Sequence, residues 1–222
     1  MLINLSGRDP DWRRHVRAIE AHGPEQHVLW RDGRVTVVPP DDLPHTYGAD
    51  RQTRRTVSFS ELEPDQLHYI DPHDLGGIDY PWRWGFAPEP APKSAFFPPW
   101  QDATVRWVRE RAPEVSLHAE VFSPFSQFME LLDFEPALMA LIDDPVKVEA
   151  CLEALAEGTA ELMSLQARAG ADAILISSAF AGAGFISTNH YRRFVLPFEH
   201  RIIEQFRAGF PAVPFFSWES PK

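Results

Sequence analysis

The chain has 222 residues, with 21 basic side chains against 32 acidic ones and a formal charge of −11. That length suits one large domain, or at most a domain and a half, able to bury a core without disulfide or metal staples; the acidic balance argues against a nucleic-acid binder, which needs a basic face. No apolar run reaches the ~18–20 residues that span a bilayer, the N-terminus lacks a signal peptide's basic start, and the single cysteine, Cys151, fits a reducing compartment, so the expected setting is the cytoplasm without a membrane partner.

Asp9 as a cap, with Pro10 at the first helical position, predicts a helix that Gly23-Pro24 ends. His27-Val-Leu-Trp-Arg, Asp32-Gly33 and Arg34-Val-Thr-Val-Val predict a hairpin, because Asp-Gly supplies the positive φ of a tight turn. Residues 41–56 read as polar loop, and Leu67 to Asp71 as a short strand. Six of the 21 prolines fall between Pro81 and Pro99, among Trp82, Trp84, Phe86, Phe96, Phe97 and then Trp100. Proline removes backbone donors, so this is an extended, irregular stretch, and its aromatic load expects it to pack over a core or line a pocket mouth.

The second half is more regular. Residues 102–111 predict a helix before Pro113, and Val115 to Phe122 a strand. The turn Ser123-Pro124 leads into a helical run from about Phe125. Asp144-Pro145 opens a long helix to about Ala169, whose Val148, Leu152, Leu155, Ala156, Thr159, Leu162, Met163 and Gln166 recur as one buried stripe. Gly170 stops it, and Ala173 to Ile176 is a strand apolar enough to be buried on both faces. A loop through Gly182 and Gly184 reaches Ser187, which caps a helix from Thr188 to about Ala208; Gly209 closes it, and Pro211 to Trp218 is extended. This alternation predicts an α/β fold with parallel strands.

Three stretches, in order, carry a family resemblance: Ala119-Glu-Val-Phe-Ser-Pro-Phe-Ser, then Asp143-Asp-Pro-Val-Lys-Val with its helix to Ala169-Gly-Ala-Asp-Ala-Ile, then Ser187-Thr-Asn-His-Tyr-Arg-Arg-Phe-Val-Leu-Pro-Phe. From about residue 115 to 218 the chain resembles the uroporphyrinogen decarboxylase superfamily, which includes cobalamin-linked methyltransferases. The resemblance implies a (β/α)8 TIM-barrel fold, with residues 1–222 as one barrel domain and a divergent helix and hairpin region over 1–60. The superfamily continues past the position of Lys222 with its last strands, so the expectation is either a piece of a longer chain or a barrel incomplete at its C-terminus.

Two departures bear on chemistry. The superfamily's zinc methyltransferases carry His-x-Cys after the strand that corresponds here to Val213–Trp218, where this chain has Phe215-Phe-Ser-Trp-Glu-Ser. Thiolate and imidazole are what a soft zinc site needs, so no metal or other cofactor is expected; zinc or cobalamin belongs to the alternative reading. The decarboxylases hold substrate carboxylates with arginines near the start and use a tyrosine at the reacting ring. Here no such arginine motif opens the chain, and Glu130 stands near the tyrosine position.

Barrel sites lie at the carboxyl ends of the strands. Along 115–122, Leu117, Ala119 and Val121 share one face, and His118, Glu120 and Phe122 the other. If helices cover the apolar face, His118 and Glu120 project into the lumen, where they can exchange protons or hold a cation; the other reading is a structural His–Glu pair. His118, Glu120 and Glu130 are thus the candidate catalytic residues. Candidate substrate contacts are His73, Asp79, Tyr80, Ser177, Ser178, Arg192, Arg193 and Trp218, against the plainer readings of solvated turns, loop caps and surface cations. No P-loop, GxGxxG or GxSxG occurs. The leading expectation is cofactor-free decarboxylation of a small-molecule carboxylated substrate, with a tetrapyrrole as one candidate. The alternatives are corrinoid-linked methyl transfer, and a non-catalytic binding or assembly subunit. A homo-oligomer or a partner chain completing the barrel would cover exposed strand edges.

Overall fold

A computed structural model describes residues 2–3, 12–41, 45–48, 57–70, 96–97 and 99–219. They form an antiparallel sheet and a parallel sheet backed by helices.

The antiparallel sheet is a meander of β2 (Val16–His22), β3 (Glu25–Trp30), β4 (Val35–Val38) and β5 (His45–Tyr47), in sequence order. The expected hairpin is β3–β4, with Leu29 opposite Val35 and Gly33 at φ 91° in its turn. The expected helix over the preceding residues is corrected: a 3-10 turn at Trp12–His15 leads directly into β2. Gly23-Pro24 does not stop a helix. Gly23, at φ 63°, turns the chain so that His22 meets Glu25 and Glu20 meets His27. Cross-strand pairing overrides local helix propensity here. β5 likewise falls inside the stretch expected to be loop. Trp30 is the buried anchor of this sheet, its Nε1 donating to Thr36 Oγ1 at 2.8 Å.

The parallel sheet has the order β1-β6-β7-β8, from β1 (Leu2–Ile3), β6 (His118–Phe122), β7 (Ala173–Ser178) and β8 (Phe215–Glu219). Between β6 and β7 run α2 (Pro124–Leu132), α3 (Phe134–Asp143) and α4 (Pro145–Arg168); between β7 and β8 run α5 (Thr188–Phe194) and α6 (Leu196–Gly209); α1 (Ala103–Arg111) precedes β6. The βα alternation is therefore present, but the described strands form a four-stranded sheet rather than a closed barrel.

The helices start where their caps dictate. Ser123 Oγ accepts from Ser126 N, Asp144 Oδ1 from Lys147 N, and Ser187 Oγ from His190 N, with proline in the first turn of α2 and α4. All eight stripe positions predicted for α4 are buried. Two helical runs are broken, however. The run from Phe125 divides at Asp133, whose φ is 67°, and the helix expected from Thr188 to Ala208 divides at Val195, because Pro197 in the first turn of α6 cannot donate a helical hydrogen bond. The strand expected at Leu67–Asp71 is also absent; a 3-10 turn, Pro64–Gln66, leads into irregular chain, with residue 71 outside the described set.

One continuous core joins the sheet to its helices. Leu117, Ala119, Val121, Ile174 and Ile176 meet Phe128, Leu152, Leu155, Ile202 and Phe206. Leu67, Tyr69 and Ile70 are buried in the same core despite their irregular backbone. Side-chain hydrogen bonds tie the segment down: Ile70 N donates to Gln127 Oε1 at 2.8 Å, and Tyr69 Oη accepts from Phe122 N at 3.2 Å. The approach of this segment to α4 requires glycine, since a Cβ on Gly158 would lie 1.8 Å from the His68 carbonyl oxygen.

Candidate active site

The strand register arranges the face of the parallel sheet opposite the core. On β6, Ala119 and Val121 are buried in the core, while His118, Glu120 and Phe122 are half-buried on the opposite face. Parallel pairing aligns His118 with Ala173, Glu120 with Leu175, and Phe122 with Ser177. The next strand aligns Phe216 with Leu175 and Trp218 with Ser177; the side chains of 216–219 are outside the described set. Three rows result. The lowest holds His118, the middle places one carboxylate, Glu120, beside Leu175, and the uppermost ends in Phe122 and Ser177.

His118 and Glu120 therefore share a face, but not a depth. His118 is the first residue of β6, so it stands at the amino end of the sheet, about 13 Å below Phe122 at the usual strand rise. Its Nε2 lies 2.9 Å from Ser116 Oγ. Its surroundings hold strands together: Asp172 Oδ2 accepts from Leu117 N at 2.8 Å and from Arg109 Nη2 at 2.5 Å, and Arg109 also donates to Gly170 O at 2.8 Å. The Leu117 N–H, and then the Arg109 guanidinium, hold the Asp172 carboxyl below the usual carboxylate range. Such ties at the amino ends of parallel strands serve stability, whereas in barrel folds chemistry sits at the carboxyl ends.

At the carboxyl end the polar groups are different. Gln127 Nε2 donates to Phe122 O and to Thr159 Oγ1, both at 2.8 Å, fixing the exit of β6 where α2 begins. Ser123 N donates to Ser177 O at 2.9 Å, tying the two strand ends together. Ser177 and Ser178 are both buried. Ser178 points to the helix side and donates its hydroxyl to Glu199 Oε1 on α6, whose side chain belongs to a residue only 6% exposed. Of the expected pair of serines, Ser177 alone shares the face opposite the core, and Ser178 is a strand-end anchor.

The remaining candidates do not converge on this end. Glu130 is half-buried on α2, the helix that follows β6. Arg193 donates to Glu149 on α4 at 2.6 Å, and Arg192 is exposed beside it on α5. His73, Asp79 and Tyr80 lie outside the described residues, as do residues 81–95 of the aromatic segment. Phe96 and Phe97, at its end, pack on His68, with ring centroids 4.8 and 5.6 Å away. His68 Nε2 in turn lies 2.6 Å from Glu161 Oε2.

Sequence reasoning passed over Tyr69, Gln127 and Glu199. The signal for Glu199 is its spacing: it stands three residues before Ile202 and seven before Phe206, on the apolar side of α6. Gln127 similarly is a buried polar residue among apolar ones, between Phe125 and Phe128 on α2.

Among the described residues, no three of His, Cys, Asp and Glu gather around one point. Cys151 is buried on α4, and burial pushes its thiol up to about 12, away from the thiolate form that binds metal.

Comparison with known proteins supplies the ancestry. The family model described as "Uroporphyrinogen decarboxylase (URO-D)" matches residues 87–218. A curated relative, "Uroporphyrinogen decarboxylase" of Acidiphilium cryptum (strain JF-5), is 28% identical over 162 residues, which make up 71% of this chain and 42% of the relative. The chain thus spans less than half the length of that relative. Among solved structures, a methyltransferase from Methanosarcina mazei matches with a TM-score of 0.44 and 18% identity, covering 52% of this chain and 32% of that one.

Proposed function

Since the chain belongs to the uroporphyrinogen decarboxylase family, we propose that it takes part in cofactor-free decarboxylation of a small carboxylated molecule at the carboxyl end of its parallel sheet. The observation that carries this reading is Glu120, a half-buried carboxyl group beside Leu175 on the face of β6 opposite the core. Decarboxylation breaks a carbon–carbon bond and leaves its electron pair on carbon. CO2 departs, and the carbon needs a proton. A carboxyl group held within reach of that carbon can act as the general acid. Glu120 supplies that proton and recovers it from solvent, while Ser177, one row above, offers a hydroxyl to orient the substrate carboxylate.

His118, at the amino end of β6 beside Ser116 Oγ, stays outside the reacting centre in this proposal. Arg192 is the exposed cation available to attract an anionic substrate, since Arg193 is engaged by Glu149. Among the described residues no donor set supports the zinc-dependent methyl-transfer reading.

The test is direct. The protein is incubated with uroporphyrinogen, and the porphyrinogens are separated after oxidation. Less-carboxylated products from the wild type, lost in Glu120→Gln, are expected. No such product at high enzyme loading overturns the tetrapyrrole assignment, and undiminished turnover by Glu120→Gln overturns the role of that residue.

A further inference from the structure

We propose that α3 and the segment 57–60 form a docking groove for a basic amphipathic helix of a partner protein. The groove has a volume of about 430 Å³ and is lined by Val57, Phe59, Leu132, Pro136, Met139 and Ala140, with Asp143 at its rim. Beside it, Met139 and Ile142, three residues apart on α3, form an exposed apolar ridge that Val146 on the first turn of α4 follows in the chain; Ile142 is 66% and Val146 69% exposed. Isolated exposed apolar side chains are ordinary, but a ridge continuous with an apolar groove is the surface that receives an amphipathic helix.

Charge selects the occupant. Glu61, Glu135, Asp143 and Asp144 are exposed around the groove. The lysine nearby, Lys147, is turned inward: its Nζ lies 3.4 Å from Ser60 O and 5.1 Å from the centre of the Phe59 ring. The rim is therefore acidic, and the whole chain carries −11. A second copy would bring like charge to like charge; a helix with leucine-type anchors and flanking lysines or arginines is complementary in both respects.

The experiment uses the full chain and a fluorescein-labelled Leu/Lys peptide with leucines at i, i+3, i+4 and i+7, followed by fluorescence anisotropy at low and high salt. A Leu/Glu peptide with the same leucine spacing is the control. The Leu/Lys peptide binds and weakens as salt rises, while the Leu/Glu peptide does not bind. Ile142→Asn weakens binding about tenfold or more, as expected for an apolar anchor, and Asp143→Lys weakens it at low salt. Leu196→Ser, an exposed apolar change on α6, leaves binding unaltered. Equal binding of the two peptides, or indifference to Ile142→Asn, overturns the proposal. So does a dimer of the chain alone that Ile142→Asn dissociates; that result would give the groove to a second copy.

Discussion

At Gly158 a single hydrogen atom decides whether two segments can meet. The chain at His68 crosses α4 so closely that a methyl group would sit 1.8 Å from a carbonyl oxygen, which is backbone and cannot swing aside. Gly158→Ala should therefore cost about 3 kcal/mol, the upper range for overpacking, although alanine is the better helix former. Urea unfolding of the two proteins measures it; an unchanged midpoint would mean that residues 67–70 do not pack there. Asp172 gives a second residue-level prediction, with a defined sign. Its folded carboxyl is held below the ordinary Asp value of 3.8, first by the Leu117 N–H and then by Arg109. Such a group contributes stability above the unfolded value and loses it as pH falls through the folded value. The wild type should lose stability below pH 3.8 more steeply than Asp172→Asn, in urea midpoints compared at pH 7 and in the acid range. The exposure of this carboxylate keeps the effect small.

Among the elements, the junction between α2 and α3 carries the clearest strain. Asp133 has φ 67° and ψ 159°, a region that only glycine occupies without cost. Asp133→Gly should raise stability by about 1 kcal/mol, read as a higher melting temperature. A lower one would show that the aspartate carboxyl earns its place there. This junction was not legible in the sequence, because Leu131-Leu-Asp-Phe-Glu-Pro contains no glycine to mark a break. The same limit hid β2: Val16 to His22 has no strict alternation, and it becomes a strand only by pairing with β3. Where the signals were local and redundant they sufficed. Asp144-Pro145, the stripe from Val148 to Gln166, and Gly170 placed α4 within a residue or so. At the candidate site, alternation gave the face of His118 and Glu120 correctly, but depth along a strand depends on where pairing begins. That information lies in β1 and β7, so the low position of His118 could not be read from its own segment.

For the whole molecule, the core offers an internal reporter. Cys151 is fully buried at the centre of α4 with its thiol pushed up to about 12. A thiol reagent at neutral pH should therefore label it only through unfolding, at a rate that follows global stability rather than reagent concentration alone. Labelling within the mixing time would indicate that α4 opens separately from the sheet. The two sheets also differ in how far their members are separated along the chain. In the antiparallel sheet each strand pairs with its sequence neighbour, so turns of a few residues close every ladder.

The central strand of the parallel sheet has another kind of neighbour. β6 pairs on one side with β7, and on the other with β1, where Leu2 meets His118. Closing a loop between residues so distant carries an entropic cost of about 4 kcal/mol, and the return is a ladder of only two residue pairs. The order of assembly follows: β6, β7 and β8 condense around α4 and α6 first, and β1 arrives last at a finished edge. During synthesis that edge waits until the chain has emerged beyond β6. In hydrogen exchange, the amide of Ile3 should lose protection well before that of Val121, through openings that leave the remaining strands paired. Equal protection of the two would make β1 part of the folding nucleus instead of its last addition.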